Sequence, residues 1–174
     1  GPGSFTGLRI SMATAKAISQ VRNLPIISVD SLESLAFNMN LCERVICPIL
    51  DAQRNQVYTG KYRFENGEFK TLEDVKVVTI DELVDELSKS NEEFIIVGEA
   101  TNLYKEKLDE VKNCYIASVS NNVSKASSLC AVAGIKFKKD VDVHNCYTIN
   151  PMYIRKSQAE VQYEEKMKRL ENDK

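Results

Sequence analysis

The amino-acid sequence predicts an α/β fold in which a mixed sheet is flanked by helices. Apolar, strand-like stretches such as Val45–Gln53 and Glu93–Glu99 alternate along the chain with segments of helical periodicity. Between them, Gln56–Phe64 alternates polar and apolar residues and precedes Asn66-Gly67, a dipeptide typical of a tight hairpin. With 174 residues, of which 43% are hydrophobic, the chain is long enough to enclose a substantial core.

The first predicted element is a helix from Phe5 to Arg22, which follows the loop sequence GPGSFTG. Ser4 or Thr6 is its predicted N-cap, because either hydroxyl can accept a hydrogen bond from an unpaired amide of the first turn. On a helical projection its polar side chains form one narrow arc, and apolar or small residues fill most of the remainder. So wide an apolar arc predicts burial on two sides, and the alternative is a helix sandwiched within its own domain.

The remaining elements are predicted from the same patterns. We expect further strands at Leu24–Val29, Val75–Ile80 and Cys114–Val119, and helices at Leu32–Asn40, from a cap at Asp81 to Leu87, from a cap at Thr101 to about Val111, and at Val123–Phe137. Thr148–Lys156 is predicted to be extended, and the residues after it to form a charged helix or a frayed tail.

The charges of the chain nearly cancel. There are 23 basic and 25 acidic side chains, which leaves a formal net charge of −2. This balance argues against a protein whose whole surface binds nucleic acid. No apolar run approaches the roughly 20 residues of a membrane span. The five cysteines form no C-x-x-C pair, and we predict reduced thiols in the cytosol, with Cys47, Cys114 and Cys130 as small core residues.

Few residues are arranged for catalysis. The single histidine, His144, lies near Cys146, and because two donors are too few for a zinc site we expect a surface imidazole. No G-x-S-x-G sequence supports a serine nucleophile. Asp51 follows an apolar strand, where a carboxylate either serves a functional site or caps the next turn. We therefore expect no catalytic residue and no metal ligand in this chain.

The loop GPGSFTG has some features of a phosphate-binding loop. It lacks the lysine of the P-loop, and its glycines are spaced one residue too widely for the dinucleotide fingerprint. The free amides at the start of a helix nevertheless attract anions. Gly3, Ser4 and Thr6 are therefore candidates for contact with a phosphate or nucleotide, and the alternative is a purely structural turn.

The sequence GPGSFTGLRISMATAKAIS closely resembles the signature of the TsaB family, also called YeaZ. LPIISVDSLESLA, DAQRNQVYTGKY, FIIVGEA and NPMYIRKSQAE are similar to further family segments, so the resemblance covers nearly the whole chain. Gln53, Gln56 and Ala100 depart from the family pattern, which has arginine, glutamate and glycine there. The resemblance implies the actin/sugar-kinase ATPase-like fold, built of ribonuclease-H-like lobes.

The resemblance also implies how the chain is divided. Family members carry an upstream segment with the first hairpin strands and a long helix, so we expect the N-terminal lobe to be incomplete here. Residues 1–44 are then the remainder of that lobe and include the interface helix. Residues 45–156 are the C-terminal α/β lobe, and 157–174 are a charged tail, helical or disordered.

TsaB-like proteins support the formation of threonylcarbamoyladenosine next to the anticodon of tRNA. The resemblance implies a non-catalytic, cytoplasmic subunit that binds and stabilises a TsaD-like catalytic subunit and acts with a TsaE-like ATPase. It implies no cofactor on this chain, ATP or ADP and a metal on the partner subunits, tRNA contact only through the complex, and no membrane. The alternatives are a homodimer acting alone and a glycoprotease-like peptidase or nucleotide hydrolase.

The resemblance assigns partner contact to the first helix. In the family, this helix packs against its counterpart on TsaD or on a second TsaB. We expect Leu8, Ser11, Met12 and Ala15 to contact the partner and Arg9 to lie at the rim. Small residues allow two helices a close approach, and methionine adapts to an irregular surface.

Overall fold

The order of helices and strands follows the predicted order closely. The computed structural model describes residues 1–154, so the predicted tail at 157–174 lies outside the described residues. In chain order the elements are α1 (Phe5–Arg22), β1 (Ile26–Ile27), α2 (Ser31–Ala36), β2 (Val45–Asp51), β3 (Gln56–Glu65), β4 (Glu68–Thr79), α3 (Ile80–Ser88), β5 (Phe94–Val97), α4 (Ala100–Leu103), α5 (Lys105–Asp109), β6 (Cys114–Ile116), α6 (Ala126–Lys138) and β7 (Val143–His144).

The main sheet is mixed, which confirms the predicted fold class. Its strand order is β4-β3-β2-β5-β6. The neighbours β4, β3 and β2 are antiparallel, whereas β2, β5 and β6 run parallel. Asn66 and Gly67 join β3 to β4 with φ of 53° and 79°, the positive values that a two-residue hairpin turn requires.

Each face of this sheet carries its own hydrophobic core. Successive residues of a strand point to opposite faces, so Cys47 of β2 packs on one side with Leu83 of α3 and Leu108 of α5. Ile46 of β2 packs on the other side with Leu35 of α2. Helix α6 lies against α2, and the result is a layered α/β structure.

A glycine at the end of β5 allows two strands and a helix to meet closely. Gly98 has φ of 125°, and a Cβ there would overlap the carbonyl oxygen of Ile49 in β2. The Gly98 carbonyl accepts a hydrogen bond from the Thr101 hydroxyl at 2.7 Å. Helix α4 begins at Ala100, so Thr101 lies inside it. Its predicted role as an N-cap is wrong.

Several other predicted boundaries are also wrong, among them those of α3 and β1. The N-cap of α3 is Thr79 and not Asp81, because the Thr79 hydroxyl accepts from the Glu82 amide at 3.2 Å while the Glu82 carboxylate accepts from the Thr79 amide at 2.8 Å. The strand expected at Leu24–Val29 is limited to Ile26 and Ile27, which pair with β7.

The five cysteines all lie within the described residues and carry free thiols. Cys47 is fully buried, as predicted for a small core residue, and burial raises the pKa of its thiol to about 11. Cys114 is half-buried. Cys130 is exposed, so its predicted place in the core is wrong: it lies on the outward side of α6.

Two contacts cross the predicted boundary between residues 44 and 45. Helix α2, from the first part, packs on the main sheet through Leu32 and Leu35. Strand β1 pairs with β7 from the second part, with Ile26 opposite His144. The division into 1–44 and 45–156 stays a prediction, and within residues 1–154 the two parts share a core.

Candidate functional site

Helix α1 begins and ends where the sequence predicts. Ser4 is its N-cap, with the hydroxyl accepting from the Gly7 amide at 3.3 Å. At the other end Asn23 adopts the left-handed conformation, and its amide donates to the Ser19 carbonyl, which ends the helix. The capping residue is thus Ser4, and Thr6 lies within the first turn.

One side of α1 faces the rest of the fold. Leu8, Met12 and Ala15 are half-buried and Ser19 is buried. The first three line a cavity of about 780 Å³, which we call the inner cavity. Its other walls come from β1, α2, the sheet strands β3 and β4, α6 and the segment that precedes residue 154. Spacings of three and four residues place these side chains on one helix face.

The opposite side of α1 is apolar and exposed to solvent. Ile10 is 64% exposed, Ile18 56% and Val21 84%. Together with the exposed Thr14 and Ala17 they form a continuous stripe at helical spacing, which we call the outer stripe. A contiguous apolar patch on a soluble protein commonly marks an interaction surface.

Four of the predicted contact residues lie on the side of α1 that faces the inner cavity. Leu8, Ser11, Met12 and Ala15 all line that cavity. Ser11 is exposed, with its hydroxyl donating to the Leu8 carbonyl at 3.1 Å. Their role in partner binding stays a prediction. Sequence reasoning placed Ile10, Ile18 and Val21 in the apolar arc of the helix but did not select them as contacts.

Arg9 lies on the polar side of α1, in a cluster with two aromatic side chains. Its Nε donates to the hydroxyl of Tyr153 at 3.0 Å, and its guanidinium carbon lies 4.1 Å from the centre of the Phe5 ring. The rings of Phe5 and Tyr153 are 5.1 Å apart. These contacts fix the first turns of α1 against the end of the described chain.

The predicted phosphate-contacting residues lie at a second cavity, of about 500 Å³. Gly3, Ser4 and Thr6 line it together with Asp51 and Glu99. The amides at the helix start favour an anion, whereas the two carboxylates oppose one. Asp51 also caps a turn, because its Oδ1 accepts from the Gln53 amide at 2.8 Å. Phosphate or nucleotide contact stays a prediction.

Charged side chains gather along the inner cavity. Lys136 donates to Glu33 at 2.6 Å and to Asp142 at 2.8 Å. Asp30 caps α2 by accepting from the Glu33 amide at 2.7 Å, and burial raises the pKa of the Asp30 carboxyl to about 7. These pairs compensate the Lys136 charge, which is half-buried.

His144 is half-buried in β7 and is not the surface imidazole that its polar sequence context suggests. Its Nε2 lies 3.1 Å from the hydroxyl of Ser28. Among residues 1–154, no group of three or more His, Cys, Asp and Glu side chains is placed to hold a metal ion. None of the helices in the same range is long and apolar enough to cross a membrane.

Comparison with known proteins agrees with this fold. YeaZ from Pseudomonas aeruginosa superposes with a TM-score of 0.72 over 88% of this chain and 71% of its own, at 19% sequence identity. A second solved structure, described as similar to peptidase YeaZ from the same organism, gives a TM-score of 0.70. The chain therefore has the α/β fold of these YeaZ structures.

The sequence comparisons identify the family. The family model for TsaD, the tRNA N6-adenosine threonylcarbamoyltransferase, matches residues 1–163. The tRNA threonylcarbamoyladenosine biosynthesis protein TsaB of Bacillus subtilis is 32% identical over 97% of this chain and 72% of its own length. TsaB of Escherichia coli is 36% identical over 56% of this chain and 44% of its own length. This chain belongs to the TsaB (YeaZ) family.

Proposed function

We propose that this chain is a non-catalytic subunit in the synthesis of threonylcarbamoyladenosine in tRNA. The relatives from B. subtilis and E. coli carry that biosynthetic role in their names. The observation that carries the proposal is the outer stripe of α1, an apolar helix surface that stays exposed to solvent among residues 1–154. In this role the stripe docks on a TsaD-like catalytic subunit.

The stripe has the properties of a helix–helix contact. Ile10, Ile18 and Val21 stand in a row over about three turns, and burial of each side chain stabilises a complex by roughly 1.5–3 kcal/mol. Thr14 and Ala17 between them are small, so a partner helix can approach closely. The row therefore supplies enough apolar surface for the centre of an interface.

The chemistry in this proposal belongs to the partners. A TsaD-like subunit supplies the metal site and the transfer of the threonylcarbamoyl group, and a TsaE-like ATPase binds ATP or ADP. This chain contributes shape, and it contacts tRNA only through the complex. The proposal is consistent with its formal net charge of −2, which gives little attraction for the phosphate backbone.

Co-purification with the TsaD-like protein of the same organism tests the proposal. Ile18→Asp places a charge at the centre of the stripe, and we expect affinity to fall on the order of 100-fold or more, with loss of tRNA modification in vitro. Gln20→Asp is the matched control, since Gln20 is exposed on the polar side of the same helix. Unchanged binding of Ile18→Asp would contradict the proposal.

A companion variant distinguishes the two sides of α1. Met12→Lys alters the side that faces the inner cavity, which includes the residues selected from the sequence. If the partner binds through the outer stripe, Met12→Lys should lower the free energy of unfolding of the isolated chain. The affinity of the molecules that remain folded for the partner should then change little. The opposite result would assign the contact to Leu8, Met12 and Ala15.

One observation favours a different function. The Ser28 hydroxyl lies 3.1 Å from His144 Nε2 at the inner cavity, and a serine–histidine pair is a component of many hydrolases. In that case the purified chain would cleave a peptide or nucleotide substrate without partners, and Ser28→Ala would abolish turnover. We expect no turnover by the purified chain and none by Ser28→Ala.

A further inference from the structure

Helix α1 differs in charge from the rest of the molecule. Residues 1–29 contain Arg9, Lys16 and Arg22 but none of the chain's 25 acidic side chains, the first of which is Asp30. Because the whole chain has a formal net charge of −2, the remainder of the sequence is acidic. Positive charge is therefore concentrated on the helix that carries the outer stripe.

These three cations have no counter-charge in the described part of the chain. The side chains of Lys16 and Arg22 make none of the hydrogen bonds or ion pairs found among residues 1–154, and Arg9 donates to the neutral hydroxyl of Tyr153. Lys136, by contrast, has two carboxylate partners. The positive charge of α1 therefore remains available to another molecule.

The outer stripe can be buried without leaving a polar side chain unpaired. The Thr14 hydroxyl donates to the Ile10 carbonyl at 2.9 Å, and the other side chains of the stripe, those of Ala17, Ile18 and Val21, have no polar atoms. Burial of the stripe therefore avoids the cost of an unsatisfied polar group. Such a surface gives affinity for many apolar helices, so selection among them depends on the charges around it.

The three cations lie close enough to the stripe to act on a bound helix. At 100° per residue, Arg9 and Lys16 fall on the polar side of α1, and Arg22 falls between the outer stripe and the side that faces the inner cavity. An α-helix with its side chains is about 10–12 Å across, and the Debye length at physiological ionic strength is about 8 Å. The charges on both flanks are therefore only partly screened from the borders of a partner helix.

We propose that the outer stripe selects a partner helix whose apolar face is bordered by aspartate or glutamate side chains. Carboxylates there compensate the three cations of α1 and raise the association rate by electrostatic steering. A second copy of this chain is disfavoured, because it brings two sets of α1 cations together without a carboxylate. Nucleic acid supplies negative charge but no apolar surface to cover the isoleucines of the stripe. This inference rests on the proposed function and adds the chemistry of the partner's surface.

Association kinetics with the TsaD-like protein of the same organism test the inference. Arg22→Glu and Lys16→Glu each replace a cation by a carboxylate, and we expect each to slow association at least about threefold at low ionic strength. The difference should disappear near about 0.5 M salt, because salt screens exposed charges. Lys112→Glu is the matched control, since Lys112 is exposed between α5 and β6 and has no ion pair among residues 1–154. It should leave the association rate nearly unchanged.

Two charge variants are used because a carboxylate in the last turn, at Arg22, also opposes the helix macrodipole. Lys16 lies in the middle of α1, so slower association of Lys16→Glu, with its unfolding curve unchanged, is not an effect on the helix end.

Three results would each overturn the inference. These are unchanged or faster association of both charge variants, a dimer of this chain that Ile18→Asp dissociates, and competition between tRNA and the partner for the outer stripe. If Ile18→Asp abolishes partner binding while the charge variants have no effect, the proposed function stands and the inference fails. If Ile18→Asp leaves binding unchanged, the proposed function fails instead.

Discussion

The main sheet and helix α1 use apolar residues in opposite ways. In the sheet, Ile46 and Ile96 are fully buried beneath helices on the two faces. In α1, Ile10 and Ile18 are more than half exposed, and Ser19 is the buried residue of that helix. The difference indicates two tasks: the sheet supplies the stability of the chain, and in the proposed function α1 supplies an exposed apolar surface for a partner.

Replacing isoleucine by alanine in the main sheet and in α1 should give the largest difference in the free energy of unfolding. Ile96→Ala removes a buried side chain and should lower the free energy of unfolding by about 3 kcal/mol. Ile18→Ala removes an exposed one and should change it by about 0.5 kcal/mol or less, because alanine is also the better helix former. Urea unfolding of the isolated chain measures both. A comparable loss from Ile18→Ala would show that the outer stripe belongs to the chain's own core.

Asp30, which caps α2 beside the inner cavity, should make the free energy of unfolding depend on pH. Burial raises the pKa of its carboxyl from 3.8 to about 7, so between about pH 4 and 7 the folded state holds more protons than the unfolded state. Stability from this group is therefore present at low pH and is lost as the pH rises through 7, by about 1 kcal/mol or more.

Unfolding at pH 5 and pH 8 measures this effect. Asp30→Asn keeps an oxygen that can cap α2 and should flatten the dependence. Asp109→Asn, at an exposed carboxylate, is the control and should leave it unchanged. If Asp30→Asn retains the full dependence, the effect belongs to another titratable group of the inner cavity.

The smallest difference in the free energy of unfolding is expected between the N-caps of α3 and α1. Thr79 and Glu82 form a complete capping box on α3, so Thr79→Ala should cost about 1 kcal/mol. Ser4 makes one long hydrogen bond at an exposed helix start, and Ser4→Ala should cost about 0.5 kcal/mol or less. Thermal unfolding resolves the two, with Thr79→Ser as the conservative control. The reverse order would mean that α1 contributes more to stability than its exposure indicates.

Much of the fold could be predicted because local signals agree with the tertiary structure. Helix α1 has a serine at one end and an asparagine suited to the left-handed conformation at the other, so its bounds are correct. Strand β4 was recognised only from Val75, because its first half, from Glu68, is rich in charged residues at the sheet edge. At its other end the strand was predicted to continue to Ile80, one residue beyond its observed end at Thr79, and this displaced the predicted cap of α3 to Asp81.

The candidate site was harder to predict. Both sides of α1 are apolar, and the sequence of the helix does not say which one faces the fold. That is decided by β1, α6 and the segment before residue 154, which enclose Leu8, Met12 and Ala15 and leave Ile10 and Ile18 outside. The approach of Ser28 to His144 likewise depends on the pairing of β1 with β7, which two residues of each strand define.

The contact between Arg9 and Tyr153 offers a way to observe the binding of a partner subunit by tyrosine fluorescence. The chain contains no tryptophan and seven tyrosines, so phenol fluorescence is not masked by indole. Tyr153 is 42% exposed and touches the first turns of α1, where an arriving subunit would alter its quenching. With the other tyrosines replaced by phenylalanine, this one ring becomes an optical reporter of occupancy.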